Sequence, residues 1–299
     1  MTPRDVIAAI RLPFVSASAL PALIAVAWGF GGGGLFDPLF AFLAVAGVIL
    51  LHLGTNTLND YYDWDRSDRV NRFPSPFSGG TRSAVEGILN RGHFLLLSFI
   101  LYTAALLIGL YMILNGRPYV LLFGFIGFLG GALYSAAPAG LMNRGLGEVD
   151  IFFMFGPLIT LGTGYAVKGA VSIDYFLIGV PMGLIVANIL WINQFPDIEA
   201  DASVGKRNLV VRLGTGPSRY VYLLIMTAFY LSIIVLWWTG IYPVWSLIAL
   251  VTIPLVIKAV RHAWRYHGDP KAILPSQAGT IQVQTLSGVI LTLAMLLPN

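Results

Sequence analysis

The stretch "LFAFLAVAGVILLHLGTNTLNDYYDWDRSDRV", residues 39 to 70, decides the fold. Its first 20 residues are long and apolar enough to cross a hydrocarbon core of about 30 Å as one helix. The run then meets four aspartates, Asp60, Asp63, Asp65 and Asp68, within nine positions. Apolar runs of similar length recur near 12–30, 94–114, 118–136, 148–167, 174–194, 218–240, 242–261 and 277–297. Each reads as a membrane helix. The sequence therefore predicts an all-α polytopic membrane protein, a bundle of nine transmembrane helices forming a single domain over residues 1–299.

Composition agrees. The chain is 57% hydrophobic and 11% charged, far below the roughly 25% charge of soluble domains. Mean hydropathy is +0.78. With no cysteine, disulfides, thiolate nucleophiles and thiolate metal sites are excluded. A pI of about 9.3 does not point to nucleic acid, because the basic residues are scattered between apolar runs and no reader motif accompanies them. Their distribution fits membrane orientation instead. Of 18 Lys and Arg, all but Arg117 and Lys168 fall on one side of the nine-helix scheme. The positive-inside rule then places the N-terminus and the loops after the even-numbered helices in the cytoplasm, with the C-terminus outside. The long polar loops 59–93, 195–217 and 262–276 are all on that side. Trp28, Trp191, Trp237 and Trp238 fall near predicted helix ends and read as interfacial anchors. Gly127 and Gly131 have the spacing of close helix packing. The sequence carries no signal for oligomeric state.

The acids are concentrated. "NQFPDIEAD", residues 193 to 201 at the end of the sixth predicted helix, is a second cluster, and the two hold seven of the 14 acidic residues. Asn56 and Asp60, Asn59 and Asp63, and Asn193, Asp197 and Asp201 recur at fours, which stacks them on helix faces. Carboxylates so placed at a membrane boundary repel unless a cation compensates them. Mg²⁺ prefers oxygen ligands and is commonly held by one or two carboxylates together with substrate phosphates. Two facing clusters thus predict a magnesium clamp on a diphosphate, with Asn59, Asp60, Asp63, Asp68, Asn193, Asp197 and Asp201 as candidate ligands. Arg72 and Arg82, flanking "FPSPFSGGT" (73–81), and Lys206 and Arg207 are candidate phosphate donors. Backbone N–H groups of Ser78, Gly79 and Gly80 could add an anion nest. His52, inside the second run, reads as a buried, hydrogen-bonded histidine, and no general base stands out.

"NDYYDWDRSD" and "DIEAD", each ending an even-numbered helix, resemble the two Asp-rich motifs of the UbiA superfamily of intramembrane prenyltransferases. The second motif matches at Asp197 and Asp201. The first matches at Asn59 and Asp63, with Ser67 where its third acid belongs, so that Asp65 and Asp68 both remain candidates. Further similarity lies in "FSGGTRSAVEGIL" (77–89), "LYSAAP" (133–138), "NRGLGEVDIFFMFGP" (143–157) and "GKRNLVVRLG" (205–214), closest to the branch that prenylates 1,4-dihydroxy-2-naphthoate in menaquinone synthesis. The resemblance implies Mg²⁺-dependent transfer of an allylic prenyl group from its diphosphate to an aromatic acceptor, with Asp63 and Asp197 central to catalysis. It also implies that Tyr134 steadies an allylic cation by cation–π attraction and that Arg144 binds diphosphate or an acidic acceptor. Implied partners are a polyprenyl diphosphate, an aromatic or lipid acceptor, and the bilayer. Other acceptors known in the superfamily, a 4-hydroxybenzoate, an archaeal glycerol phosphate lipid, chlorophyllide or haem, stay open. An ion-coupled transporter is the competing class, but the acids gather at one end rather than along a path.

Overall fold

A computed structural model describes residues 3–32, 36–64, 70–78, 80–81, 88–136 and 139–297. Asp65, Arg66, Asp68, Arg69, Gly79 and Arg82 lie outside the described residues. The described residues are largely helical and contain no strand. Nine long helices stand among the described residues: α1 (Ser16–Gly31), α2 (Pro38–Asp63), α3 (Arg91–Leu114), α4 (Val120–Ser135), α5 (Gly147–Lys168), α6 (Ile173–Ser203), α7 (Thr215–Trp238), α8 (Val244–Tyr266) and α9 (Leu274–Ala294). Each overlaps one apolar run of the sequence. Six of them, α2, α3, α5, α6, α7 and α8, are long and apolar enough to cross a membrane. Helices α1 and α4 are apolar but shorter, and α9 carries Gln277, Thr280 and Gln284 within its length. The chain is an integral membrane protein; its outward faces carry bare apolar side chains such as Phe42, Phe99, Leu114 and Trp238.

Helix α6 is the centre. Its apolar window is 72% buried, against 22–39% for the other five spans. Met182, Ile185, Ile192 and Phe195 on α6 pack with Tyr222, Met226 and Phe229 of α7, Leu20 and Ile24 of α1, and Val283 and Leu291 of α9. Trp191 is part of this core, 2% exposed, with its indole N–H donated to the Ser218 carbonyl at 2.9 Å. It is no interfacial anchor. The expectation fails because the helix runs on past the apolar stretch, so Trp191 is not at its end. Trp237 and Trp238, by contrast, are exposed at the end of α7.

Helices α5 and α6 meet through their backbones. A Cβ on Gly156 would lie 2.5 Å from the Gly179 carbonyl oxygen and 2.6 Å from Gly183 N. The crossing coincides with a π-helical turn over Met154–Leu158, where Pro157 withholds an N–H. On α4, Gly131 is pressed against Thr55 and Gly130 against Met154, whereas Gly124 and Gly127 meet nothing closer than 3.8 Å and border a cavity. The glycine spacing therefore serves packing at one end and free space at the other.

Two boundaries matter for function. The second and sixth apolar runs end in the sequence near residues 58 and 194, but α2 continues to Asp63 and α6 to Ser203. The polar, acid-bearing turns are thus rigid continuations of membrane helices and not loops.

Candidate active site

The ends of α2 and α6 bring both acidic motifs to one place. Lys206, just past α6, is 4% exposed and lies between them. Its ammonium donates to Asp63 Oδ2 at 3.1 Å and pairs with Asp201 Oδ1 at 3.6 Å. Asn59 Nδ2 donates to the same Asp63 oxygen at 3.3 Å and to Ser135 Oγ at 2.7 Å. The other Asp201 oxygen accepts from Asn208 Nδ2 at 2.8 Å, and Asn208 also caps the short helix Leu209–Leu213. Asp197 Oδ1 accepts from Asn71 Nδ2 at 2.7 Å and Ser78 Oγ at 3.2 Å, which ties the loop after α2 to α6.

Several candidates are engaged elsewhere. Asp60, fully buried, forms an ion pair with Arg11, which stands in a left-handed conformation (φ 53°) just before α1. Asn193 donates to the Phe77 carbonyl at 3.0 Å and accepts from Gln277 Nε2 at 3.1 Å. Both side chains therefore brace the site rather than reach into it. Of the expected anion nest, the Ser78 N–H is occupied by Ser75 Oγ at 3.0 Å. Arg72, Arg144 and Arg207 are exposed beside the cluster's loops. Arg144 and Arg207 are drawn together through Arg212, which donates to both their carbonyls at 2.7 and 2.8 Å.

A cavity of about 840 Å³ starts at Asn59, Tyr62, Tyr134 and Asp150 and runs between α2, α3, α4 and α5 to Ala44, Met112 and Val120. Leu43 and Tyr62 both line it, 19 residues apart on one helix. At 1.5 Å per residue the cavity extends about 28 Å along α2, the full depth of a bilayer core. Leu, Ile, Phe and Gly make up half of its lining residues. Tyr134 stands at the polar end, among the carboxylates of Glu148, Asp63, Asp150 and Asp201. Sequence reasoning missed Glu148, which is 7% exposed and accepts from Gln194 Nε2 at 3.0 Å, linking α5 to α6 beneath the cluster.

Among the described residues no three carboxylate or imidazole groups converge as a ready-made metal cage. The donor set still fits Mg²⁺. Asp63 and Asp201 already share one cation, the Lys206 ammonium, and the second oxygens of Asp63 and Asp197 carry no protein partner among the described residues. An ion that keeps several waters and takes the rest of its shell from phosphates needs one or two carboxylates, not a closed cage.

A membrane-embedded helical bundle that ends an apolar cavity on clustered carboxylates and a buried lysine belongs to the class of intramembrane transferases. The chain belongs to the UbiA prenyltransferase family, which it matches over residues 18–277. It is a prenyltransferase. It is 28% identical over 285 residues to the 1,4-dihydroxy-2-naphthoate octaprenyltransferase of Escherichia coli (strain K12), covering 91% of this chain and 88% of that protein. The apo structure of a UbiA homologue from Aeropyrum pernix K1 superposes with a TM-score of 0.70 at 18% identity, covering 91% of this chain and 96% of the other. A UbiA homologue from Archaeoglobus fulgidus bound to DMAPP and Mg²⁺ gives 0.61 at 16% identity, covering 98% and 99%. At such identities the two structures speak for the fold.

Proposed function

We propose that this protein transfers a prenyl group from a polyprenyl diphosphate to a hydroxylated aromatic acceptor within the membrane, with Mg²⁺, in quinone synthesis of the menaquinone type. The observation that carries the reading is the continuity of the apolar cavity with the Asn59–Asp63–Lys206–Asp201 cluster. A prenyl chain is itself lipid-like and fits the cavity. Its diphosphate would then lie at the polar end.

Asn59, Asp63, Asp197 and Asp201 would hold Mg²⁺, with Asp65 or Asp68 completing the first motif. Bound there, the metal supplies Lewis-acid neutralisation of charge on the departing diphosphate. Lys206, already beside Asp63 and Asp201, is placed to donate to phosphate oxygens; Arg72, Arg144 and Arg207 lie on the neighbouring loops, and Arg82 is the remaining candidate donor from the sequence. Tyr134 faces the point where the cavity meets the cluster, so its ring would lie against the allylic carbon as positive charge develops. The apolar walls keep water from that carbon. The naphthoate acceptor is supported by the Escherichia coli relative, and Mg²⁺ by the Archaeoglobus fulgidus homologue. We further read all nine long helices as membrane spans, with the N-terminus and the active-site loops cytoplasmic, on the strength of the Lys and Arg distribution.

The test is transfer by purified protein from radiolabelled geranyl and geranylgeranyl diphosphate to a panel of acceptors: 1,4-dihydroxy-2-naphthoate, 4-hydroxybenzoate, a glycerol phosphate lipid, chlorophyllide and haem. Product from the naphthoate that requires Mg²⁺ and disappears in Asp63→Ala and Asp197→Ala is expected. Activity indifferent to EDTA and to both substitutions would overturn the clamp.

A further inference from the structure

The prenyl diphosphate accounts for the polar end and the apolar length of the cavity. On the α2 wall it leaves two polar side chains, His52 and Asn56, without a task; Thr163 Oγ1 on α5 also borders the cavity without a partner. His52 is 8% exposed and lines the cavity. Its Nδ1 is 2.9 Å from Ser18 Oγ, and its ring meets the edge of Phe155 at 4.8 Å between centroids. Ser18 has one hydroxyl hydrogen, which it donates to the Val15 carbonyl at 3.2 Å. With that hydrogen on Val15, the hydroxyl accepts from Nδ1–H and the ring lone pair is on Nε2, which has no protein partner among the described residues. One turn further along the same helix, Asn56 also lines the cavity, and its Nδ2 is a buried donor without a partner.

Their positions suit a second substrate. Residues 52, 56 and 59 follow at i, i+4 and i+7, so all three project on one face of α2. His52 and Asn56 are about 5–6 Å apart at their Cβ atoms, and His52 lies about 10 Å from Asn59 along the helix axis. An acceptor ring between them and the diphosphate would meet a hydrogen-bond acceptor at His52 and a donor at Asn56. Buried polar atoms left unpaired cost free energy, and these two, of opposite sense and one turn apart, are placed for a single ligand to satisfy both.

We propose that His52 and Asn56 form the acceptor subsite, Asn56 Nδ2 donating to an oxygen of a hydroxylated aromatic and His52 Nε2 acting as general base on its hydroxyl. This rests on the prenyl transfer reading above. As the hydroxyl proton passes to Nε2, the O–H electron pair feeds the ring and a ring π pair closes the new C–C bond to the allylic carbon. The C–O pair leaves with the diphosphate. The hydrogen of the attacked ring carbon is then lost to the diphosphate, and the imidazolium returns its proton to the oxygen, so His52 ends neutral. Ser18 is a positioning residue, since it presents the correct tautomer.

The experiment uses the full chain in lipid nanodiscs with 1,4-dihydroxy-2-naphthoate and ring-fluorinated analogues whose hydroxyls are more acidic. His52→Asn keeps an amide N–H for Ser18 and removes the lone pair. Binding of an unreactive thiolo analogue of geranylgeranyl diphosphate reports that the variant is folded. The expected result is unchanged analogue binding and kcat lower by about 10²–10⁴-fold. That deficit should shrink steadily as the acceptor hydroxyl becomes more acidic. Asn56→Leu should raise the acceptor KM about tenfold with a smaller effect on kcat. A kcat for His52→Asn within threefold of native, or a deficit equal for every acceptor, would overturn the proposal. Native protein that prenylates no hydroxylated aromatic would instead overturn the function from which the proposal starts.

Discussion

Lys206→Met is the most incisive single change. The native ammonium is nearly inaccessible and holds Asp63 and Asp201, one from each motif, at 3.1 and 3.6 Å. A unit charge pair at about 4 Å is worth roughly 4 kcal/mol at an effective dielectric of about 20, and desolvation offsets much of that while the set is intact. Methionine fills similar volume but leaves two carboxylates facing each other without a cation. Breaking one partner out of a buried ionic set costs about 3–5 kcal/mol. The measurement is thermal unfolding in detergent, in EDTA and then in Mg²⁺. In EDTA the variant should unfold well below the native protein. Mg²⁺ should recover most of the difference by occupying the vacated position, while the native protein, already neutralised by its own lysine, gains little. Transfer should remain low even with Mg²⁺, because the phosphate donor is gone. A variant as stable as native in EDTA, or one that Mg²⁺ leaves unmoved, would refute the argument that Lys206 is the resident counter-ion of the two motifs.

Replacing Asp63 or Asp197 by Asn should leave the protein folded and lower kcat by roughly 10²–10³-fold, the usual loss when one electrostatic stabiliser of a departing charge is removed; a steady-state assay with saturating diphosphate checks this. Arg11→Met should cost about 3–5 kcal/mol by stranding the fully buried Asp60, and Arg11→Met with Asp60→Leu should regain most of it, as read from unfolding midpoints. Gly109 lines the cavity and a Cβ there meets nothing within 4 Å, so Gly109→Phe should fit without strain. It should depress kcat/KM for long prenyl diphosphates far more than for geranyl diphosphate in a chain-length series. Gly156→Ala forces apart two backbones in contact and should cost at least about 1–3 kcal/mol by unfolding.

The helices were legible because apolar length in a bilayer is a strong signal, and each of nine runs became a helix. Their ends were not. In α2 and α6 the i, i+4 polar residues extend the helix beyond the apolar stretch, so hydropathy stops several residues before the hydrogen-bond ladder does. The same spacing did indicate that Asn59, Asp63, Asp197 and Asp201 could gather. What local spacing could not reveal was partners far apart in sequence. Asp60 with Arg11 is separated by 49 residues, and Asp63 with Lys206 by 143. Both lysine and arginine read in the sequence as loop charges facing lipid or phosphate. Glu148 had no periodic neighbour to mark it, and its signal was only that an acid inside "GLGEVDIFF" opens an apolar helix. His52 was visible as a polar residue within an apolar run, but its tautomer depends on Ser18 in another helix.

The backbone contact of Gly156 with Gly179 and Gly183 has a mechanical consequence. Helix α5 supplies one wall of the cavity and α6 carries the second acidic motif; their backbones touch at Gly156 and the Glu148–Gln194 hydrogen bond joins them again nearer the cluster, which couples the two. The opposite wall, α3 and α4, is lined by Phe99, Leu106, Leu121 and Phe125, side chains that the rest of the bundle leaves uncovered. Compliance is therefore all on one side: chains of different bulk are accommodated by the outward wall yielding to lipid, while the reacting end keeps its register.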